Sequence, residues 1–527
     1  MTIAEILGLL IAVVVVATAA DRLRIAYPIL LVVAGVVVAI LPVAHRVSLE
    51  PDLILLVFLP PLVYDASLDT SARELRTHWR PILLLAVGLV LATMTGVAVV
   101  FHLLVPQSSW GESFALGAIV SPPDSVAATQ IAGKLGLPRR LVTILGGEGL
   151  MNDATALTGY QLAVASVATT LTLADMAARF VFAVVAGVAI GLGVGWLGTR
   201  LLRLVETPVI ENTMLLILPF AAYLPADKLG ASGVLAVVAT GLYFGRFGSR
   251  SLTAAARLQQ RQIWDLIVFL LTGLSFLLVG LELRPVLETL TARSSGSLVT
   301  ESLAVVGTVV VLRMAWMFGA SALPGGKLLF STVQGTPSTW RETTVVGWAG
   351  MRGAISLAAA LALPTSFAER DLVLFLTFAV IVATLVGQGL SLPPLIRRLG
   401  LVSADDRDQV LAAEARRRLI VVALGRMDEL ALAGGTPDEV TDRLRAGYEA
   451  LLDHIDRRLE VLGGGGGPVG PEDDAGPALE AEIELRLRVI ATERDELERL
   501  VARRKVTRQV ADEVRADLDI DETTMRP

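Results

Sequence analysis

Apolar residues fill long runs of the chain as far as residue 398, and short polar stretches separate these runs. A helix needs about 20 mainly apolar residues to cross a membrane. By this measure the sequence predicts an all-α, multi-pass membrane protein with thirteen transmembrane helices, at residues 3–20, 26–43, 52–68, 80–105, 112–133, 140–164, 176–199, 208–225, 230–246, 262–283, 300–322, 342–364 and 371–396.

Charge marks a boundary near residue 400. Residues 401–527 hold 29 Asp and Glu against 19 Lys and Arg, a net charge of −10, whereas the whole chain carries −6. We therefore expect a transmembrane domain at 1–400 and a cytoplasmic helical tail at 401–527. The tail pattern predicts helices near 405–433 and 437–461, a glycine-rich linker at 463–468 and a charged helix at about 478–516.

Basic residues predict the orientation. Cytoplasmic loops of membrane proteins carry an excess of Lys and Arg. The odd-numbered loops contain 16 such residues and the even-numbered loops and their flanks contain 6. The N-terminus is therefore expected outside the cell membrane and the acidic tail in the cytoplasm.

Two predicted helices are interrupted by residues that break a helix. The fifth contains SPPDS (121–125) and the twelfth contains GWAGMRGAIS (347–356). Both lie at corresponding places if helices 1–6 and 8–13 form two six-helix repeats of opposite orientation. Inverted repeats with broken helices near the bilayer midplane are a common plan of secondary transporters, and the breaks lie at the substrate site.

Several function classes are disfavoured by composition. The chain has no cysteine and only four scattered histidines, so no site with metal-ligand spacing is expected. It lacks a phosphate-binding GxxxxGK stretch, so transport would draw on an ion gradient. No histidine lies near a serine or an acid within the membrane core, which disfavours a hydrolase. We expect a transporter and not an enzyme, with no cofactor and no nucleic-acid partner, in contact with membrane lipid.

Ionisable residues inside a membrane are costly and mark functional sites. The predicted spans contain few of them: Asp65, Asp124, Glu148, Asp153, Arg313 and Arg352. The stretch GEGLMNDATAL (147–157) places Glu148 and Asn152 one turn apart on one face of the sixth helix, while Asp153 points about 100° away from Asn152. These residues indicate a buried site for an ion.

A desolvated cation needs oxygen ligands. Pro122 and Pro123 donate no N–H, so carbonyl groups one turn earlier lose their partners. Those carbonyls, or the hydroxyls of Ser121 and Ser125, are candidate ligands beside the Asp153 carboxylate. The same carboxylate can hold a proton in place of the cation, and this competition gives antiport.

Other roles remain open for the remaining charged residues. Glu148 needs a counter-charge, and Arg352 at the second break is the expected partner in a structural ion pair. Asp124 either caps a helix created by the break or binds the ion. Asp65 is either interfacial or an accessory acid at an entrance, and Arg313 either reaches the interface or pairs within the core.

The chain resembles the monovalent cation:proton antiporter-1 family, the sodium/proton exchangers, and above all its bacterial branch. The resemblance covers roughly residues 5–400. It rests on five segments in order: FLPPLVYDASL (58–68), SPPDSVAAT (121–129), GEGLMNDATAL (147–157), GVLAVVATGLYFG (233–245) and GWAGMRGAISLAAALALP (347–364).

The resemblance implies a homodimer of two inverted six-helix repeats that exchanges Na⁺, or else Li⁺ or K⁺, for H⁺ and serves pH homeostasis. It implies Asp153 as the carboxylate that binds ion and proton, Asn152 as its partner, a Glu148–Arg352 pair and Asp65 as accessory acid. The single aspartate at the Asn-Asp pair resembles electroneutral members. The broken helix departs from the family's Thr-Asp-Pro form, since Pro123, Asp124 and Ser125 stand there, and Gly149 replaces a frequent serine.

Two other classes fit the same scaffold. A cation channel or uniporter would pass current without moving protons, and a membrane sensor would use the acidic tail to bind a partner.

Overall fold

The computed structural model describes most of the apolar part of the chain and part of the tail. The residues described are 3–23, 26–40, 51–70, 75, 79–169, 172–248, 251–282, 284, 286, 293–322, 339–364, 367–401, 413–414, 416–427 and 438–463. The predicted linker at 463–468 and the charged helix at 478–516 lie outside them, apart from Gly463.

The described residues form helices and no β-strand. Their bounds are α1 (Ile3–Leu23), α2 (Tyr27–Ile40), α3 (Pro51–Asp69), α4 (Trp79–Leu104), α5 (Trp110–Val120), α6 (Ser125–Lys134), α7 (Arg139–Ala168), α8 (Leu173–Leu202), α9 (Pro208–Lys228), α10 (Gly233–Gly248), α11 (Ala254–Leu281), α12 (Ser295–Ala322), α13 (Trp340–Trp348), α14 (Ala354–Leu361), α15 (Arg370–Leu399) and α16 (Asp438–Gly463).

Each of the thirteen apolar segments overlaps one described helix or a pair of short ones. Among the described helices, seven are long and apolar enough to cross a membrane by themselves: α1, α4, α8, α9, α11, α12 and α15. Large apolar side chains lie exposed along them, for example Val185 at 62%, Leu303 at 68% and Val311 at 64%. Such surfaces suit contact with lipid, because apolar patches of this extent are rare on soluble proteins.

Capping boxes fix the starts of three helices. Ser109 and Glu112 bond reciprocally at the start of α5, and Thr339 and Glu342 do so at the start of α13. Thr172 forms the same arrangement with Asp175 at the start of α8. These side chains satisfy backbone N–H groups that have no partner inside the helix, so they set where each apolar helix begins.

The helices pack in two groups. In the first group, α10 packs against α3, α8 and α9, and α2 packs against α11. In the second group, α4 packs against α5 and α12, while α7 packs against α5 and α6. Helix α14 contacts α5 and also reaches α3 and α11 of the first group. Close approach of α2 and α11 requires glycine, because a Cβ at Gly35 or Gly280 would overlap the backbone of the facing helix.

Two compact units make up the chain, Met1–Ser403 and Ala404–Pro527. In the second unit, α16 packs its Ile455 against Ala413 and Ile420, and residues 416–427 are helical. Arg417 Nε donates to Asp456 Oδ1 at 2.5 Å. This small apolar cluster joins the two described helical segments of the tail.

Candidate functional site

Two interrupted helices meet at their breaks. The first break separates α5 from α6 at residues 121–124, and the second separates α13 from α14 at residues 349–353. The Asp124 backbone N–H donates to the Met351 carbonyl at 2.6 Å, so the two non-helical segments are hydrogen-bonded to each other. Backbone polar groups that both helices leave unpaired are thereby collected in one buried place.

Arg352 satisfies the carbonyl end of α5. Its Nε donates to the Val120 carbonyl at 3.0 Å and its Nη2 to the Ser121 carbonyl at 3.2 Å. Its Nη1 donates to the Gly350 carbonyl, and its backbone N–H donates to Thr384 Oγ1 at 3.0 Å. A cation at a helix C-terminus opposes the negative end of the helix dipole. Arg352 therefore stabilises a helix end that would otherwise be unpaired in the membrane.

Asp124 caps the opposite side of the same break. Its Oδ1 accepts from the Val126 N–H at 2.9 Å and from the Ala127 N–H at 3.3 Å, at the N-terminus of α6. The predicted capping contact of Asp124 is therefore present. Its other oxygen lies against Gly353, the residue before α14, where a Cβ would overlap the carboxylate. Asp124 is thus placed close to the N-terminal ends of α6 and α14, which favour negative charge.

Asn152 and Asp153 approach the first break from α7. Asn152 is fully buried, and its Nδ2 donates to the Pro123 carbonyl at 2.9 Å. Its Oδ1 accepts from the Asp153 backbone N–H at 2.6 Å. The Asn152 amide consequently ties α7 to the unwound segment and fixes the position from which the Asp153 carboxylate projects.

Glu148 pairs with Arg313 of α12, so the predicted Glu148–Arg352 pair is wrong. Arg313 Nη1 and Nη2 donate to the two carboxylate oxygens of Glu148 at 2.5 and 2.9 Å. Arg313 also donates to the Gly347 and Val346 carbonyls, both at 3.1 Å. The Arg352 guanidinium group instead donates its hydrogen bonds to backbone carbonyl groups. Two arginines lie near Glu148, and sequence position alone does not show which one faces it.

Arg313 therefore does for α13 what Arg352 does for α5. Each guanidinium caps the carbonyl end of the first half of a broken helix. Only the Arg313 charge is balanced by a bidentate carboxylate, with the two side chains 1% and 2% exposed. The alternative in which Arg313 extends to the membrane interface is excluded by this burial.

A cavity of about 50 Å³ lies beside the two aspartates. Asp124 and Asp153 line it together with Gly149, Leu150 and Ala354, and the facing wall comes from Leu62, Val63 and Ala66 of α3 and Thr272, Ser275 and Phe276 of α11. A space of this size has room for several water molecules or a partly hydrated ion. The absent side chain of Gly149, where the resemblance leads one to expect serine, leaves part of this space open.

Not every predicted ligand reaches the cavity. Ser121 is buried, but its hydroxyl donates to the Ala118 carbonyl at 3.0 Å and does not line the cavity. Ser125 begins α6, and its side chain lies outside the described residues. Asp65 is half-buried on α3, next to the cavity-lining Ala66, and makes an interaction of its own.

Sequence reasoning missed the wall that faces the aspartates. Thr272 and Ser275 lie in an apolar run of α11 that contains no charge between residues 266 and 281. Nothing in a single sequence shows that this stretch packs across from the Asn-Asp pair. The only available indication was the presence of two hydroxyls, one turn apart, in an otherwise apolar helix.

A family model described as sodium/hydrogen exchanger, transmembrane, matches residues 9–398. The chain belongs to the sodium/hydrogen exchanger family. It is 32% identical over 536 residues to an uncharacterized Na⁺/H⁺ exchanger of Mycobacterium tuberculosis, with 99% of this chain and 95% of the relative covered. It is 31% identical over 507 residues to the sodium, potassium, lithium and rubidium/H⁺ antiporter of Bacillus pumilus, covering 92% of this chain and 72% of the relative.

A solved structure has the same fold. The sodium proton antiporter MjNhaP1 of Methanocaldococcus jannaschii superposes with a TM-score of 0.60 at 16% identity, covering 76% of this chain and 98% of that one. This exchanger therefore has the helical fold of a sodium proton antiporter.

Proposed function

We propose that this exchanger binds one monovalent cation or one proton in turn at the Asp153 carboxylate and so couples their movement in opposite directions. The observation that carries the proposal is the position of Asp153, which is 7% exposed and lines the cavity between the two groups of helices. A carboxylate that holds only one ligand at a time needs no further device to couple the two.

The ligand set follows from the same geometry. Asp124 lines the cavity with Asp153 and contributes a second carboxylate oxygen toward the ion. Asn152 positions Asp153 without facing the cavity, and Asp65 acts as an accessory acid on the approach along α3. Ser121 is a weaker candidate because its hydroxyl already bonds to Ala118, and Ser125 remains a candidate.

The transported ion that we propose is Na⁺, with Li⁺ and K⁺ as possible substrates, exchanged one for one with H⁺. The name of the Bacillus pumilus relative includes sodium, potassium, lithium and rubidium, which supports a test over all of these ions. One titrating carboxylate beside a neutral asparagine supports electroneutral exchange. In the cell, such exchange would contribute to sodium export and pH homeostasis.

The proposed arrangement in the membrane has thirteen transmembrane helices in two inverted repeats, over residues 1–400. The breaks between α5 and α6 and between α13 and α14 support the repeats because they meet face to face. We propose that the protein is a homodimer in the cell (inner) membrane, with its N-terminus outside and the helical tail 401–527 in the cytoplasm.

Substitution of the proposed carboxylate tests the mechanism. Asp153→Asn keeps the shape of the side chain but cannot release a proton, so we expect cation-dependent proton flux in proteoliposomes to be lost. Asp265→Asn, which changes an exposed aspartate on α11, is the matched control and should retain flux. Flux should be measured against Na⁺, Li⁺ and K⁺ with membrane voltage clamped to zero. Exchange that survives in Asp153→Asn would contradict the proposal, and cation current without proton flux in the wild type would indicate a channel.

A further inference from the structure

One buried hydroxyl on the wall opposite the aspartates has no hydrogen-bond partner among the described residues. Thr272 of α11 is 1% exposed, and its Oγ1 bonds to no other group there. Tyr27 OH interacts with the Thr272 side chain only at a geometry short of a normal hydrogen bond, and it accepts a hydrogen bond from Gln130 Nε2 at 3.0 Å. A buried hydroxyl without a partner costs about 1–3 kcal/mol, so its presence calls for a reason.

Several buried hydroxyls in these helices avoid that cost, although Thr93 and Thr377 do not. Ser67, Thr158 and Thr199 each donate to the carbonyl four residues earlier, at 2.5, 2.7 and 2.8 Å. Ser275, the other hydroxyl on this wall, donates to the Thr272 carbonyl at 2.8 Å. Thr272 does not bond back to its own helix in this way, so its hydroxyl is left available to the cavity that it lines.

The aspartate side of the cavity offers few uncharged oxygen atoms that could bind a cation. Asp153 and Asp124 are the two carboxylates of the cavity, and a cation between them still needs several oxygen ligands. The hydroxyl of Ser121 is engaged with Ala118 and does not line the cavity, and Gly149 brings no hydroxyl. Among the described lining residues, Thr272 is the one whose side-chain oxygen is both neutral and without a partner.

We propose that Thr272 is a binding residue for the transported cation, with its Oγ1 facing Asp153 across the cavity and bonding to the ion or to a water of its hydration shell. The inference rests on the proposed exchange at Asp153. It assigns part of the ion site to α11, on the wall opposite the broken helices. The contact exists while that wall faces the aspartates, as in the present conformation.

Thr272→Val tests the role because it replaces the hydroxyl by a methyl group of similar size. We expect the apparent KM for Na⁺ of the purified full-length protein in proteoliposomes to rise roughly three- to tenfold, the net value of one hydrogen bond. Thr272→Ser keeps the hydroxyl and should remain within about twofold of the wild type. Thr377→Val removes another buried hydroxyl without a partner, outside the cavity, and should leave KM unchanged.

Thermal unfolding supplies a readout independent of transport. Because the hydroxyl has no partner in the protein, Thr272→Val should melt at or above the wild-type temperature without cation. The Na⁺ concentration needed for a given rise in melting temperature should increase by the same factor as KM. A merely structural threonine would give the reverse: lower stability and an unchanged response to Na⁺.

Three results would overturn the assignment while leaving the proposed exchange intact. They are a wild-type KM in Thr272→Val, an equal rise of KM in Thr272→Ser, or an equal rise in Thr377→Val. Failure of the proposed exchange mechanism would give a different result. Proton flux would then persist in Asp153→Asn with Thr272 intact.

Discussion

Breaking the buried ion pair between Glu148 and Arg313 should destabilise the exchanger strongly. Glu148→Gln removes the carboxylate charge at nearly constant volume, and leaves the Arg313 charge uncompensated, with the new amide oxygen and the Gly347 and Val346 carbonyls as its acceptors. Removing one member of a buried pair costs about 3–5 kcal/mol in soluble proteins. Arg313→Met should cost at least as much, because it strands Glu148 and two carbonyl groups together.

The double variant identifies the pair. When both charges are removed, no uncompensated charge remains, so Glu148→Gln with Arg313→Met should be destabilised less than the sum of the single changes. The coupling should lie near the upper end of the ~0.5–3 kcal/mol measured for contacting residues. A cycle between Glu148→Gln and Arg352→Met should show a clearly smaller coupling, because Arg352 donates to Val120 and Ser121 and not to Glu148.

Chemical unfolding of the purified protein in mixed lipid–detergent micelles, at one fixed pH, measures these free energies. A coupling to Arg352 that exceeds the coupling to Arg313 would restore the pairing expected from the sequence and refute the geometry described here. Additive effects in both cycles would show that Glu148 has no dominant partner.

Further expectations follow from the same site. Gly353→Ala should abolish exchange because a Cβ there overlaps the Asp124 carboxylate, whereas Gly146→Ala has open space around it and should be tolerated in the same flux assay. Ser121→Ala should leave the cation KM near the wild-type value, and a large increase would place its hydroxyl at the ion after all. If proton and cation compete at Asp153, the apparent KM for the cation should rise as pH falls, while the maximal rate changes less. The rise can reach about tenfold per pH unit in the limit of one competing proton. A KM that stays independent of pH from about 5.5 to 8.5 would contradict this competition.

The sequence predicts helix positions well because membrane helices satisfy their own backbone groups. Only helices and closed barrels do so in lipid, so an apolar run of sufficient length has few alternatives. The predicted segment at 140–164 appears as Arg139–Ala168, and that at 208–225 as Pro208–Lys228. Proline and glycine likewise place the two breaks, because neither residue continues a helix without loss.

Partners across the structure are predicted less well. Arg313 and Arg352 are both buried arginines in apolar surroundings, and they are alike in a list of charged residues. Which one meets Glu148 depends on the relative rotation of α7 and α12, which no pattern within a single helix specifies. The sequence did not predict the cavity wall contributed by α11 for the same reason. The role of its hydroxyls depends on their position opposite Asp153, which the sequence of α11 does not specify.

The two arginines give the departures from the family pattern a physical meaning. Broken helices in lipid leave four carbonyl groups at each interrupted end in need of donors. Here Arg352 supplies donors to two of them at the first break, Val120 and Ser121, and Arg313 to two at the second, Val346 and Gly347. Because the guanidinium groups satisfy these carbonyl ends, a side-chain hydroxyl at the break is not needed for that purpose, while Asp124 caps α6 and Asn152 bonds to the Pro123 carbonyl. The ion site can then change its hydroxyl ligands without loss of fold, and a threonine on the opposite wall is one place from which a replacement oxygen can come.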